Sequence, residues 1–276
     1  MEIKENQNIA WLDESHPNYE RWKRARDVSF ERGKFVRSIV EQKIKCENLT
    51  ILDLGSGQGG TAKVLSENNI VISIDLNIIR LKSQENFKDN ILRINGDALN
   101  VPIKPSSFDL IILQDVIEHV NDPQNLMDSL YILLKKNGIL YLSTPNKLSV
   151  FNIISDPHWG FPIVSLLKRE NIRKYFLKSF RKSEVERTDL AELHSLQKLL
   201  KLFEKKFTYS LYTNFSVEEL FKGNKGIVWS DFHLALLKLI KFIKFDQLIA
   251  GMANDKPGII NKYFTPTFYF LLEKSS

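Results

Sequence analysis

Apolar positions in this chain come in short dense runs, and the stretches between them carry apolar residues at helical spacing. The runs are Leu49 to Leu54, Ile70 to Ile74, Ile91 to Ile94, Phe108 to Leu113 and Ile139 to Ser143. Runs this short and this apolar are those of buried parallel strands. Between them, Thr61 to Asn68, Leu76 to Phe87 and Pro123 to Lys136 read as helices, with Pro123 in a first turn and Asn137-Gly138 as a cap. Five strands alternating with helices predict an α/β fold: a parallel sheet with helices on both faces and ligands at the carboxyl ends of the strands.

The flanks read differently. Residues 1–18 resemble a flexible arm, and Tyr19 to Lys45 carries Val28, Phe35, Val36, Ile39 and Val40 on one or two helices. Tyr19, Trp22, Arg26 and Arg32 are suited either to closing over a ligand or, for the aromatics, to packing on the core. Residues 147–190 break the rhythm with Asp156-Pro157-His158-Trp159-Gly160-Phe161-Pro162 and a basic stretch, as an insertion over the active edge would. Leu190 to Phe203 is helical, Phe207 to Tyr212 alternates like a strand, and Phe264 to Leu272 is a final strand, with Pro266 near its start. The expected organisation is a helical cap (1–45), an α/β core (46–146), a substrate-side insertion (147–190), and a closing helix and hairpin (191–276) that hold a second insertion (214–262).

Chemistry concentrates at the predicted strand ends. Asp53 closes the first strand and Gly55-Ser56-Gly57-Gln58-Gly59-Gly60 follows it. Glycines there let the backbone turn sharply and approach a ligand. Gly55, Gly57 and Gly60 also fit the dinucleotide pattern G-x-G-x-x-G, so the loop alone leaves the ligand open. Asp75 ends the second strand, about 20 residues past the loop, where nucleotide-binding folds place a ribose acceptor. The alternative is a helix N-cap. Gly96-Asp97-Ala98 follows the third strand, and Gln114-Asp115-Val116-Ile117-Glu118-His119 follows the fourth.

Charge and cysteine narrow the setting. Of the net charge of +6, residues 161–250 hold 17 Lys+Arg against 10 Asp+Glu, which leaves the remainder about neutral. A local basic excess suits a phosphate-bearing substrate, an anionic membrane surface or nucleic acid, or is a solvated surface. Cys46 is the single cysteine, which excludes disulfides and cysteine-built metal sites and fits a cytoplasmic setting. The first residues have no apolar core of the signal-peptide kind. The segment Asp231 to Ala250 places Lys238, Lys241 and Lys244 on one face, with Leu234, Leu237, Ile240 and Ile243 apolar. It suits peripheral contact with a membrane, or a lid docked on the sheet.

Taken together, Leu52-Asp53-Leu54-Gly55-Ser56-Gly57-Gln58-Gly59, Asp75, Gly96-Asp97-Ala98, Phe108-Asp109 with Asp115 to Val120, and Lys136 to Leu140 resemble class I S-adenosylmethionine-dependent methyltransferases. Within that group the chain is similar to the ubiquinone-biosynthesis type of O-methyltransferase. The resemblance covers about residues 35–145. It implies a Rossmann-like sheet of seven strands, mostly parallel with the last antiparallel, and residues 207–213 and 264–273 as the closing hairpin. It also implies roles. Asp53, Gly55, Ser56, Gly57 and Gly59 lie along the methionine part of S-adenosyl-L-methionine, Asp75 and Leu76 at the ribose, Asp97 and Ala98 at the adenine, and Gln114 and Asp115 beside the methyl group. A hydroxyl acceptor needs a base, for which His119 is the first candidate and His158 the second. In relatives of this type an acid-x-x-Glu-His cluster holds a divalent metal. Asp115, Glu118 and His119 form D-x-x-E-H, whose members share one face of a helical turn, so the resemblance implies Mg2+ beside the acceptor oxygen. The alternative is a paired Glu118 and a packed His119.

The acceptor classes that fit are a small molecule, a lipid-like quinone precursor or a sugar intermediate. An RNA methyltransferase is the second reading, although no appended RNA-binding motif is present. A non-catalytic S-adenosylmethionine-binding protein is the third. A nicotinamide oxidoreductase leaves Asp97 and Asp115 to His119 without a role.

Overall fold

The computed structural model describes residues 12–84, 90–97, 103–187, 189–227 and 231–275, without the side chains of Arg21 and of 231–236. Its frame is one seven-stranded sheet in the order β3-β2-β1-β4-β5-β7-β6. The strands are β1 (Thr50–Leu54), β2 (Ile70–Asp75), β3 (Ile91–Asn95), β4 (Phe108–Gln114), β5 (Leu134–Pro145), β6 (Phe207–Leu211) and β7 (Thr267–Lys274). Strands β1 to β5 pair in parallel. β7 runs antiparallel between β5 and β6. The sheet is therefore the mostly parallel, seven-stranded α/β arrangement expected, with β7 as the reversed strand.

The helices are α1 (Tyr19–Asp27), α2 (Ser29–Val40), α3 (Gly60–Leu65), α4 (Ile78–Lys82), α5 (Pro123–Leu133), α6 (Val150–Ile154), α7 (Arg169–Asn171), α8 (Lys178–Phe180), α9 (Leu196–Phe203), α10 (Thr213–Lys222), α11 (Asp231–Phe242), α12 (Asp246–Met252) and α13 (Ile259–Tyr263). A π-helical turn, Ile172–Leu177, joins α7 to α8. No helix among the described residues is long and apolar enough to cross a membrane.

Successive strand residues point to opposite faces, so each apolar run feeds two cores. Ile111 and Leu113 of β4 pack with Leu126, Met127 and Leu130 of α5 and Leu199 and Phe203 of α9. Their neighbours Leu110 and Ile112 pack on the other face with Phe35, Val36 and Ile39 of α2 and Ala62 and Leu65 of α3. That is why the runs show no alternation: both faces are dry. A separate cluster of Trp159, Val164, Ile172, Phe176, Leu177 and Leu190 gives the 147–190 segment its own centre.

Several boundaries differ from expectation. α3 is shorter than Thr61 to Asn68, α9 starts at Leu196 on a Ser195 cap, and β7 starts after Pro266 rather than at Phe264. The helix from Pro123 ends at Leu133, because Leu134 already pairs with Phe108 as β5 begins. The expected helix from Asp231 to Ala250 is two helices, broken where Lys244 takes a φ of 55°. The segment 12–18 is docked rather than a free arm: Asn18 is buried, and His16 stacks on Trp22 at 4.5 Å and faces Glu184 at 3.3 Å. Residues 1–11, the end of the expected helix at 85–87, and Leu234's side chain lie outside the described residues.

Candidate active site

The glycine loop takes the conformation its composition requires. Gly55, Gly57 and Gly59 have φ of 69°, 55° and 77°, in the left-handed region that other residues enter only at a cost. A Cβ on Gly57 would meet nothing within 4 Å, whereas one on Gly59 would press on Gln84 and one on Gly60 would lie 2.5 Å from the Ser29 backbone. Gly57 thus lies bare on the outer side of the loop, while Gly60 is where α3 meets the start of α2. Gln84 braces the loop from behind, its Nε2 donating to Ser56 Oγ at 3.1 Å and to Gly57 O at 2.7 Å.

Asp75 accepts from Gly57 N at 2.8 Å with Oδ2 and from Asn77 N at 2.8 Å with Oδ1. The N-cap of α4 is Asn77, whose side chain accepts from Ile79 N and Arg80 N. Asp75 therefore does not serve as the helix cap and is tied to the glycine loop instead. Asp53 is buried, and its Oδ2 accepts no hydrogen bond from the described residues. Burial first, and then the charge of Asp75, raise its carboxyl to about 7. A buried acid with a bare oxygen is stabilised by a cation brought beside it. Leu76 and Asp97 are exposed at the ends of β2 and β3. Ala98 lies outside the described residues.

The turn after β4 is held by β5. Gln114 accepts from Thr61 Oγ1 at 2.8 Å. Asp115 sits at φ 54°, accepts from Ser143 Oγ at 2.9 Å, and is ion-paired with Arg32 of α2. Only from Ile117 to His119 does the chain become helical, and then as a single tight turn. Asp115 therefore does not share a helical face with Glu118 and His119. Its carboxylate is taken up by Arg32 and Ser143. The expected Asp115, Glu118, His119 triplet is not the group that converges.

That group is Glu118, His119 and His158, one ligating atom of each lying within 4.8 Å of the others. Glu118 is fully buried: Oε2 accepts from Thr144 Oγ1 at 2.9 Å, and Oε1 has no hydrogen bond among the described residues and stands 4.0 Å from His158 Nε2. Burial, and then Asp115, push its carboxyl above the usual range, against the pull of Thr144 and Arg32. His119 Nδ1 lies 2.9 Å from the Asp189 carbonyl oxygen. A carbonyl only accepts, so Nδ1 carries the proton and Nε2 keeps its lone pair for the cluster. Burial lowers the His119 pKa and keeps the ring neutral. His158 is aimed by a local turn, in which Asp156 Oδ1 accepts from His158 N at 2.8 Å and Trp159 N at 2.9 Å, and Trp159 anchors in the insertion's own cluster.

Arg169, which the sequence reading passed over, locks the turn from the insertion side. It donates to Glu118 O at 3.0 Å, Val120 O at 3.3 Å and Leu190 O at 2.8 Å, and reaches Asn121. Arg187 forks onto Asp189 at 2.8 and 2.9 Å and lies 5.8 Å from the Trp22 ring and 5.3 Å from that of Trp159. Of the four cap residues singled out, Arg32 reaches the site, Trp22 stacks under Arg187, and Tyr19 and Arg26 pair with one another at 5.4 Å. His194 is buried, and burial lowers its pKa to about 4, so it is a neutral packed histidine beside the end of β5.

Residues 52–142 match a family described as a methyltransferase domain. A ubiquinone biosynthesis O-methyltransferase of Coxiella burnetii is 29% identical over 113 residues, covering 39% of this chain and 48% of that one. Its namesake in Histophilus somni is 30% identical over 107 residues, covering 35% and 45%. The chain thus spans about half the length of the curated relatives it matches. Among solved structures, a SAM-dependent methyltransferase of Thermotoga maritima, a possible histamine N-methyltransferase, superposes with a TM-score of 0.53 at 15% identity, covering 94% of this chain and 97% of that one. The plantazolicin methyltransferase BpumL in complex with SAH gives 0.54 at 16%, covering 97% and 93%. These likenesses to solved structures carry the fold.

Proposed function

We propose that this chain, whose residues 52–142 match a methyltransferase domain, is a class I S-adenosylmethionine-dependent methyltransferase that methylates a hydroxyl of a small, lipid-like or sugar-derived acceptor. The observation that carries the reading is the convergence of Glu118, His119 and His158 on the turn whose Val116 packs against Gly55 of the glycine loop. The hydroxyl as target is carried over from relatives named as O-methyltransferases.

S-adenosylmethionine supplies a sulfonium methyl group: the S–CH3 bond breaks, an O–CH3 bond forms and S-adenosylhomocysteine is left. The chain's residues position and deprotonate. The Gly57 backbone would border the methionine part, Asp53 would offer its bare carboxyl oxygen to the ligand's cationic end, and Asp75, which holds Gly57 N, would accept from the ribose hydroxyls. Asp97 lies toward the adenine. The acceptor's proton goes to Nε2 of His119, whose ring burial keeps neutral, or to His158. In-line positioning supplies much of the rate, since reacting atoms held at near contact need little further organisation.

The cluster also fits a divalent cation, because a buried carboxyl oxygen without a hydrogen bond faces two imidazoles. The donor set argues against the Mg2+ expected from the sequence. Mg2+ favours oxygen ligands, whereas two imidazoles and one carboxylate suit a first-row ion such as Mn2+, Fe2+ or Zn2+. Held by Glu118, His119 and His158, such an ion would lower the pKa of an acceptor hydroxyl.

The test is calorimetric titration with S-adenosylhomocysteine, with NAD as control, followed by transfer of labelled methyl groups to a panel of quinols, catechols and sugars, with RNA as a separate arm. S-adenosylhomocysteine is expected to bind and Asp75→Ala to weaken it at least tenfold. Binding of NAD alone sinks the reading. Labelling of RNA in place of the small acceptors would make the second reading the right one.

A further inference from the structure

We propose that Arg187 is a positioning residue for both histidines of the cluster, acting on His119 through Asp189 and on His158 through Trp159. That the two rings take part in catalysis rests on the methyl-transfer reading; their placing does not.

Asp189, whose carbonyl oxygen lies 2.9 Å from His119 Nδ1, stands in an irregular stretch ahead of α9. No strand pairing among the described residues fixes that carbonyl. Arg187 does so instead. Its Nε and Nη2 fork onto the two carboxylate oxygens of Asp189 at 2.8 and 2.9 Å, and Nη1 donates to Glu184 Oε2 at 2.7 Å. The Arg187 carbonyl accepts from Arg173 at 2.8 Å. A guanidinium bonded through all its nitrogens cannot rotate without breaking a bond, and Asp189 is held with it. The Asp189 side chain is 57% exposed, so the fork adds little stability. What it supplies is direction. With the carbonyl of the same residue kept at Nδ1, the His119 proton stays there and Nε2 stays bare.

The same guanidinium reaches the turn that carries His158. It lies 5.3 Å from the Trp159 ring, and the backbone nitrogens of His158 and Trp159 both donate to Asp156 Oδ1. The two residues therefore move as one turn, and a cation held against the indole restrains both. The rings of His119 and His158 meet nearly edge to face, with centroids 5.3 Å apart. That arrangement joins segments far apart in sequence, and Arg187 touches a partner of each. Trp22 of α1 stands 5.8 Å from the guanidinium, while His16 stacks on Trp22 at 4.5 Å and faces Glu184 at 3.3 Å. The N-terminal segment thereby helps to shield Arg187, whose side chain is 15% exposed. Hydrogen bonds sheltered from water are electrostatically stronger than exposed ones.

The experiment is heteronuclear NMR of the full chain with isotope-labelled histidine rings, without ligand and at mildly alkaline pH. His119 is assigned by its loss in His119→Gln. The parent is expected to show a single His119 tautomer, with the proton on Nδ1. Arg187→Lys keeps the charge but loses the fork and the planar stack. In it His119 should move to the averaged shifts of a ring exchanging between tautomers, and the His158 signals should shift as well. Asp189→Ala, at an exposed side chain, covers the case in which the first variant fails to fold. It should change His119 in the same way and leave His158 as in the parent, because the Trp159 contact remains. With any acceptor that takes up label, Arg187→Lys should lower kcat about tenfold or more and leave the KM for S-adenosylmethionine unchanged. A lower thermal midpoint with the parent tautomer intact in both variants makes Arg187 a structural brace and overturns the proposal, as does a parent whose His119 proton sits on Nε2. Binding of NAD in place of S-adenosylhomocysteine would sink the methyl-transfer reading alone, and the tautomers would still decide what places His119.

Discussion

Thr144 Oγ1 donates to Oε2 of Glu118 at 2.9 Å and thereby turns the other carboxyl oxygen toward His158. Strand β5 supplies both clamps of the turn after β4, since Ser143, one residue earlier, holds Asp115 in the same way. If the cluster holds a divalent ion, Mn2+ should bind the parent protein and bind Glu118→Gln far more weakly. Thr144→Val should cost about tenfold or more in affinity, as loss of a ligand's supporting hydrogen bond does. Calorimetry with Mn2+ and Mg2+ checks this; equal, weak heats for parent and Glu118→Gln would remove the metal.

The glycines of the loop should separate under substitution. Gly60→Ala drives a Cβ to 2.5 Å from the Ser29 backbone, so it should destabilise the fold by roughly 2 kcal/mol or more. Gly57→Ala meets no atom and carries only the left-handed backbone cost, about 1 kcal/mol. Its main effect should be a loss of S-adenosylhomocysteine affinity. Urea midpoints beside binding constants for the two variants decide the matter.

Asp53 sets a pH dependence with a definite sign. Its folded pKa is raised to about 7 from an unfolded value near 3.9. Between those values the folded state holds a proton that the unfolded state has released. Stability contributed by this group is therefore greatest below pH ~4 and falls as pH rises toward 7, with a limiting slope of about 1.4 kcal/mol per pH unit. Asp53→Asn should flatten the ligand-free protein's stability over that window. Urea unfolding at pH 5, 6 and 7 measures it; a parent profile no steeper than the variant's would show that Asp53 is ionised throughout.

Arg32 and Asp115 are 18% and 17% exposed as side chains, too sheltered for ordinary surface screening. A double-mutant cycle of Arg32→Met and Asp115→Asn should give a coupling of about 1 kcal/mol or more. Each single variant should also weaken S-adenosylhomocysteine, because the pair joins α2 to the turn beside the cofactor loop. Additive effects on both stability and affinity would reduce the pair to a crystal-like surface contact.

The first half of the chain was legible because its signals are local. Apolar runs, a four-glycine loop and strand-end acids are each fixed by a few neighbouring residues, and β1 to β4 fall where those signals place them, while β5 begins at Leu134, inside the helix and cap expected to Gly138. The cluster was legible only in part. Glu118 and His119 stand in one motif, but Asp115 takes a positive φ that breaks the helical face implied by spacing. His158 joins through an insertion whose path depends on the Asp156 turn and the Trp159 anchor, 40 residues from the motif in sequence. Arg169, Arg187 and the Asp189 carbonyl were not legible at all: in a basic stretch, nothing local distinguishes an arginine that braces a buried turn from a solvated one. The docked segment 12–18 was missed for the same reason, since its partner Glu184 lies far along the chain.

Strand β7 lies between β5 and β6, yet it is made well after both. During synthesis β6 has no neighbour to pair with, and the outer edge of β5 stays bare, until residues 267–274 have emerged. Nascent chains would pass through a stage in which a five-stranded parallel core carries a docked α9 while β6 still has no strand to pair with. That stage offers an open strand edge to other chains. Ribosome-bound chains halted before residue 267 should therefore recruit chaperones and be cleaved by protease near β6, and chains halted far enough beyond it to free β7 from the exit tunnel should not.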